Sequence, residues 1–254
     1  MNYLSSFDGL IWLLAALFLL VFLQRSLHRE IQAVLLILTR RIGLTQGIFA
    51  FIFLPGVFLH ECSHFLVAKL LGVRTGRFSL IPQAQPNGKL RLGYVETASG
   101  GFLRDALIGV APLVVGSLIV AYIAIYPLHL LPLWDYVRAA EWSRFWSGLG
   151  EVLKVAGFWV WFYMTFAISS TMMPSASDRH AWLPVGLLAV LLVGLAILAG
   201  AGPWMLENLA PPINSFLGGL AMIFGLSGIV HLFLILPFAI FHFLLARVSG
   251  VDIG

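Results

Sequence analysis

The residues that could do chemistry are gathered in Phe58-Leu59-His60-Glu61-Cys62-Ser63-His64-Phe65. His60 and His64 are four apart, so on an α-helix both imidazoles leave the same face and can bind one zinc ion. Glu61 then stands beside the metal without being a ligand. There it can accept a proton from a water that the metal acidifies and return it to a leaving amine. Cys62 and Ser63 point away from the His60/His64 face, which argues against a thiol ligand or a serine nucleophile. The stretch around them is apolar over a hydrocarbon-length run, where three ionisable groups are costly without a purpose. The bland alternative is a pair of hydrogen-bonded core histidines beside a coincidental glutamate.

Hydrolytic zinc sites take three protein ligands and leave the fourth position to water, so a third ligand must come from elsewhere. Asp178 is the foremost candidate. It ends Met172-Met173-Pro174-Ser175-Ala176-Ser177-Asp178, where Pro174 stops a helix and small residues let the chain pass close to another element. The same aspartate could instead pair with Arg179 or cap the helix that starts near Trp182. His180 is a rival ligand, and Glu96 and Asp105 are further ones, at a hairpin end and a helix start.

The elements that must position these residues are those of a membrane protein. Of 254 residues 60% are hydrophobic and 10% charged, which excludes a soluble chain. The net charge of +4 comes from cations scattered between apolar runs, so no nucleic acid is expected as a partner, and the cations suit lipid headgroups instead. A single cysteine excludes an internal disulfide. Spanning about 30 Å of hydrocarbon takes about 20 apolar residues, and six runs qualify: about 9–24, 46–72, 103–126, 152–173, 182–198 and 215–246. The first reads as a retained helix rather than a signal peptide, and 25–41 as an interfacial helix or an extension of its neighbours. Between Val73 and Gly101, alternating apolar residues flank Asn87-Gly88, a turn signal that predicts a β-hairpin. Residues 127–150 carry Trp134, Tyr136, Trp142 and Trp146 among charges, the composition of a membrane–water interface.

The expected fold is thus an all-α polytopic membrane protein: about six transmembrane helices, a β-hairpin after the second, and one membrane-embedded domain over 1–254. Its core covers about 46–184, with peripheral helices at 1–45 and 185–254. The 15 Lys and Arg split almost evenly between the two sides, so charge does not orient the chain. His231 and His242 lie on one stretch with Pro237 between them, which favours hydrogen bonding within the bundle over a second metal site. His28 and His129 sit at span ends.

The segment 58–82, reading FLHECSHFLVAKLLGVRTGRFSLIP, resembles the metal-binding helix and following hairpin of the site-2 protease family of intramembrane zinc metalloproteases. That family continues with a Gly-Pro-x-x-Asn helix and an Asn-x-x-Pro-x-Pro-x-Leu-Asp-Gly segment. This chain has Gly109-Val110-Ala111-Pro112 and the stretch from Ser170 to Asp178 in the corresponding places, so order and approximate spacing agree over 48–184. Val115 stands where the first asparagine would be, Ser170 or Thr171 where the second would be, and Arg179 where the glycine would be. The interval from Pro174 to Asp178 is one residue shorter. The resemblance implies zinc on His60, His64 and Asp178, with Glu61 as the base. It also implies a membrane-protein substrate, a multi-pass location in a cell membrane, and a hairpin and both termini facing the cytoplasm. A non-hydrolytic protein on the same scaffold, either a metal-binding transporter or a partner-binding relative, is the rival expectation. Glu61 separates the two, because only hydrolysis needs a base that is not a ligand.

Overall fold

Helices make up most of the computed structural model, which describes residues 7–84 and 90–250. The expected turn at 85–88 lies outside the described residues. Four helical stretches are long and apolar enough to cross a membrane, and the number reaches six if each of two bent pairs counts as one span.

Helix α1 (Asp8–Thr39) runs unbroken through the region where a separate interfacial helix was an alternative. No Gly or Pro interrupts it after Gly9, and its charges face outward or find partners. Arg29 is exposed, and Glu30 meets His242 at 2.7 Å. Its buried residues Leu20, Leu23, Leu27, Ile31 and Val34 recur every three or four positions and pack on α10 (Ala210–Ser249). Close van der Waals contact holds such a pair, and small residues permit it. Ala221, Ser227 and Gly228 are buried on α10, and Gly9 packs so closely on Asn214 that a Cβ there would overlap its backbone.

The pair is parallel: Gly9 meets Asn214, Leu20 packs with Phe224, and Glu30 reaches His242. At 1.5 Å per residue α1 is about 48 Å long and α10 about 60 Å. The two ends of the described chain therefore lie at opposite ends of this pair.

Two expected spans are bent pairs. Helices α2 (Ile42–Ile52) and α3 (Leu54–Leu70) meet at 70° at Phe53. Pro55 explains the break, since it has no N–H for the carbonyl four residues back and its ring crowds that turn. The β-region that follows α3 is a nested hairpin. β1 (Thr75–Ser79) pairs antiparallel with β4 (Tyr94–Thr97), and within them β2 (Gln83–Ala84) pairs with β3 (Leu90–Arg91). Leu80, Leu90 and Leu92 press this hairpin onto a core cluster of Leu27, Ile31, Phe49, Phe53, Val57, Phe166 and Val230.

Next come α4 (Phe102–Ile125), with Pro112 inside it, and α5 (Leu131–Arg138). Helices α6 (Trp142–Lys154) and α7 (Phe158–Thr171) meet at 96°, the break centring on Gly157 at φ 75°, where side chains with a Cβ are strained. The expected straight span over 152–173 is therefore the 14-residue α7 only. Helix α8 (Trp182–Ala196) has no buried residue, and a π-helical kink at Ile197–Ala201, with Gly200 at φ 89°, joins it to α9 (Gly202–Asn208).

Neighbour contacts give the directions. α3 and α7 are parallel, through Gly56 at Ala167 and His60 at Thr171. α4 opposes α7, through Gly116 at Met172 and Gly109 at Asp178. α10 also opposes α7, since Phe162 meets Phe233 and Met172 meets Phe224. So α1, α4 and α10 run one way, and α3 and α7 the other.

Candidate metal centre

Three close approaches between elements build the site, and each depends on a residue that removes an obstacle. Gly56 lets α3 lie against α7, where a Cβ would overlap the Ala167 carbonyl and the Thr171 hydroxyl. One turn later His60 Nδ1 donates to the Thr171 carbonyl oxygen at 2.7 Å. That oxygen is free because α7 ends at Thr171 ahead of Pro174, which leaves its last carbonyls without helical partners.

His64 Nδ1 donates in the same manner to the Ile108 carbonyl oxygen of α4, at 2.8 Å. In an unbroken helix that oxygen would accept from the N–H of residue 112, but Pro112 has none. Helix α4 thus offers His64 an acceptor in mid-helix. One residue on, Gly109 has no Cβ and the Asp178 backbone packs directly onto it; a methyl there would overlap the Asp178 carbonyl oxygen.

Carbonyl oxygens only accept, so both Nδ1 atoms carry the proton and both Nε2 atoms carry a lone pair in the neutral rings. The two Nε2 atoms stand 3.1 Å apart. Asp178 Oδ1 is 3.4 Å from His64 Nε2, and Oδ2 is 3.8 Å from His60 Nε2. These separations are longer than those of well-formed hydrogen bonds. The one ligand atom offered by each of the three residues lies within 4.8 Å of the others, a grouping that could hold a metal ion.

The loop that presents Asp178 folds on itself. The Ser175 N–H donates to Asp178 Oδ2 at 2.7 Å, and the Asp178 N–H returns to Ser175 Oγ at 3.3 Å. Burial of the Asp178 carboxyl works against its ionisation, but hydrogen bonds from the imidazoles of His60 and His64, which donate to it when protonated, and from the Ser175 N–H outweigh it. They hold the carboxyl well below the usual carboxylate range.

The other sequence candidates fall elsewhere. Arg179 turns back, its Nε 3.2 Å from the Ser175 carbonyl oxygen. His180 donates to the Ser177 carbonyl oxygen and faces Asp105 at 3.7 Å. Asp105 accepts from the Gly100 N–H and the Ser99 hydroxyl, and Glu96 accepts from the Arg77 N–H in the hairpin. Ser63 gives its hydroxyl proton to the His60 carbonyl oxygen at 2.7 Å.

Glu61 is buried at 8% exposure on a neighbouring face of α3, turned to the hairpin. Gly93, just before β4, packs so closely that a Cβ would lie 3.0 Å from Glu61 Cγ and 2.9 Å from Val57 Cγ1. Arg91 stacks on Tyr94 at 4.7 Å and is within electrostatic reach of Glu61, as are His60, His64 and Asp178. Reading the sequence alone missed Gly56, Gly93 and the two carbonyl acceptors. Pro112, four residues beyond Ile108, was the available signal for one acceptor, and Pro174, three beyond Thr171, signalled only that α7 ends there.

No protein-family model, no curated protein and no solved structure matches this chain.

Proposed function

We propose that the protein is an intramembrane zinc metalloprotease that hydrolyses a peptide bond of a membrane-protein substrate. One observation carries the reading. With both rings neutral, two imidazole lone pairs and a carboxylate converge with no donor among them, while the opposite ring nitrogens are committed to backbone carbonyls. Lone pairs so arranged repel unless a cation or proton lies between them. Ligand atoms about 2.0–2.1 Å from a tetrahedral zinc stand about 3.3–3.4 Å apart; the two Nε2 atoms at 3.1 Å and Asp178 Oδ1 at 3.4 Å from His64 Nε2 are near that edge, while His60 Nε2 is 3.8 Å from the other carboxylate oxygen, Oδ2.

Two histidines and one carboxylate form the donor set of a catalytic rather than a structural zinc, with one position left open. The metal would supply Lewis acidity, acidifying water and polarising a substrate carbonyl. Glu61, beside the ligands and not among them, accepts the proton and passes it to the leaving amine. The carbonyls of Thr171 and Ile108 keep both imidazoles in the metal-binding tautomer. The hairpin, packed on the Glu61 face of α3, offers a strand edge that holds an extended substrate segment by β-addition. In this reading α1, the α2–α3 pair, α4, the α6–α7 pair and α10 cross a cell membrane in alternating directions. The site lies inside the bundle, where irregular backbone is tolerated.

The test is Glu61→Gln. The amide keeps the shape and cannot take up the proton, so the variant is expected to retain one zinc per chain and to lose cleavage of a membrane-spanning reporter. Turnover matching the wild type would eliminate Glu61 as the base, whereas a zinc-loaded wild type that cleaves no membrane-spanning reporter would leave the metal-binding, non-hydrolytic reading.

A further inference from the structure

Outside the ligand set, one polar cluster is buried in the bundle with no role assigned to it. His231 on α10 is fully buried, Ser170 on α7 is 3% exposed, and Ser170 Oγ lies 2.9 Å from His231 Nε2. His231 Nδ1 donates to the Ser227 carbonyl oxygen at 2.8 Å, so its Nε2 is the acceptor and the Ser170 hydroxyl the donor. The same Ser170 accepts a second hydrogen bond, at its backbone carbonyl, from Gln24 Nε2 on α1. Pro174 leaves that carbonyl free, being the residue whose missing N–H would have bonded to it. A serine whose hydroxyl donates to a neutral imidazole has the geometry of an activated nucleophile, yet at this burial no substrate reaches it.

Position in the chain assigns the cluster a different role. Ser170 immediately precedes Thr171, whose carbonyl oxygen holds His60 Nδ1. Helix α7 is 14 residues long and ends at Thr171, so its last turn has few hydrogen bonds of its own and is the part that frays first. From one side His60 pulls on this turn. From the other, Gln24 and His231 hold it by both the main chain and the side chain of a single residue.

We infer that Gln24 and His231 are positioning residues of the metal centre. They clamp Ser170 so that the Thr171 carbonyl stays where His60 needs it, which makes α1 and α10 part of the architecture of a site whose ligands all lie within 46–184. The inference rests on the metal reading above. With the clamp released, the end of α7 shifts, His60 loses its acceptor, and its ring can rotate or present the wrong tautomer.

The experiment uses the full chain in detergent or nanodiscs, loaded with zinc or cobalt. The readouts are metal stoichiometry, the rate of zinc release to a chromogenic chelator, and the visible spectrum of the cobalt form. Ser170→Ala and His231→Leu remove the side-chain clamp. Gln24→Leu, at a half-buried position, removes the main-chain clamp with less risk to folding. Each is expected to speed zinc release by about 10-fold and to change the cobalt spectrum, the lower end of the range found when a ligand's own hydrogen-bond partner is lost, because these groups act one bond further out. His231→Gln, which can still accept from Ser170 and donate to the Ser227 carbonyl, is expected to restore slow release. Ser169→Ala serves as the control, because Ser169 is equally buried but bonds only within α7, to the Thr165 and Phe166 carbonyls. Wild-type release rates in monodisperse Gln24→Leu and Ser170→Ala, or failure of His231→Gln to improve on His231→Leu, would overturn the inference alone. A wild-type protein that binds no metal would overturn the metal reading beneath it.

Discussion

Gly109→Ala tests whether backbone proximity, and not only the ligand side chains, makes the site. A methyl at 109 would overlap the Asp178 carbonyl oxygen, and both groups are main chain, so no side-chain rotation relieves the clash. Regaining an ordinary contact of about 3.4 Å from the 2.0 Å at which the Cβ would stand requires α4 and the 174–178 loop to separate by more than about 1 Å. Two supports pass through that point. The Ile108 carbonyl that orients His64 belongs to the preceding residue, and Asp178 sits on the displaced loop. Site geometry has to hold within about 0.5 Å to stay productive, so a shift of more than about 1 Å should weaken zinc binding by about 10- to 100-fold. Competition with a chelator of known affinity measures this, and thermal melting of the zinc-free protein separates lost affinity from lost folding. Gly47→Ala is the matched control, because a Cβ at Gly47 meets nothing within 4 Å and can only favour the helix. If Gly109→Ala binds zinc as tightly as the wild type and Gly47→Ala, the close approach of Asp178 to α4 has no part in forming the site.

Replacement of His60 or His64 by Ala leaves two ligands and should abolish stoichiometric zinc; a full equivalent of zinc in either purified variant would exclude the pair as ligands. The parallel packing of α1 and α10 predicts that cysteines at Phe7 and Val248, in a Cys62→Ser background, react with a membrane-impermeant maleimide from opposite sides. Labelling of both from one side would rule out two parallel crossings. The depressed folded-state ionisation of Asp178 means that the unfolded chain binds more protons there. In the zinc-free protein its contribution is therefore present above the ordinary carboxylate value near pH 4 and is lost as pH falls further below it. Melting temperatures of Asp178→Asn and wild type should accordingly converge on strong acidification, and a constant gap down to pH 2 would contradict that sign.

Local chemistry was readable in the chain because it depends on short spacings. His60, Glu61 and His64 occupy adjacent faces of one helix whatever surrounds it, since the period of 3.6 residues alone places them. Apolar runs long enough to cross a membrane follow from length and composition, and the alternation around Asn87-Gly88 announced strands that form as a nested hairpin. Two of the breaks also carry local signatures, Pro55 in the bend between α2 and α3 and Gly157 at the start of α7. They were passed over because hydrophobicity continues straight through both.

Long-range geometry decided the rest. Asp178 could be separated from His180, Glu96 and Asp105 as a ligand candidate only once α4 and α7 were packed, because the distance between a loop and a helix more than a hundred residues away depends on every intervening bend. The parallel course of α1 and α10 follows from which faces fit together, through Gly9, Gly228 and Glu30, and no hydropathy pattern encodes direction. Pro112 and Pro174 stand between the two levels. Their residue type alone says that the carbonyls of Ile108 and Ser170 lose a helical partner. That those oxygens then receive His64 and Gln24 is a property of the assembled bundle, in which neighbouring helices come close enough to use what the prolines leave free.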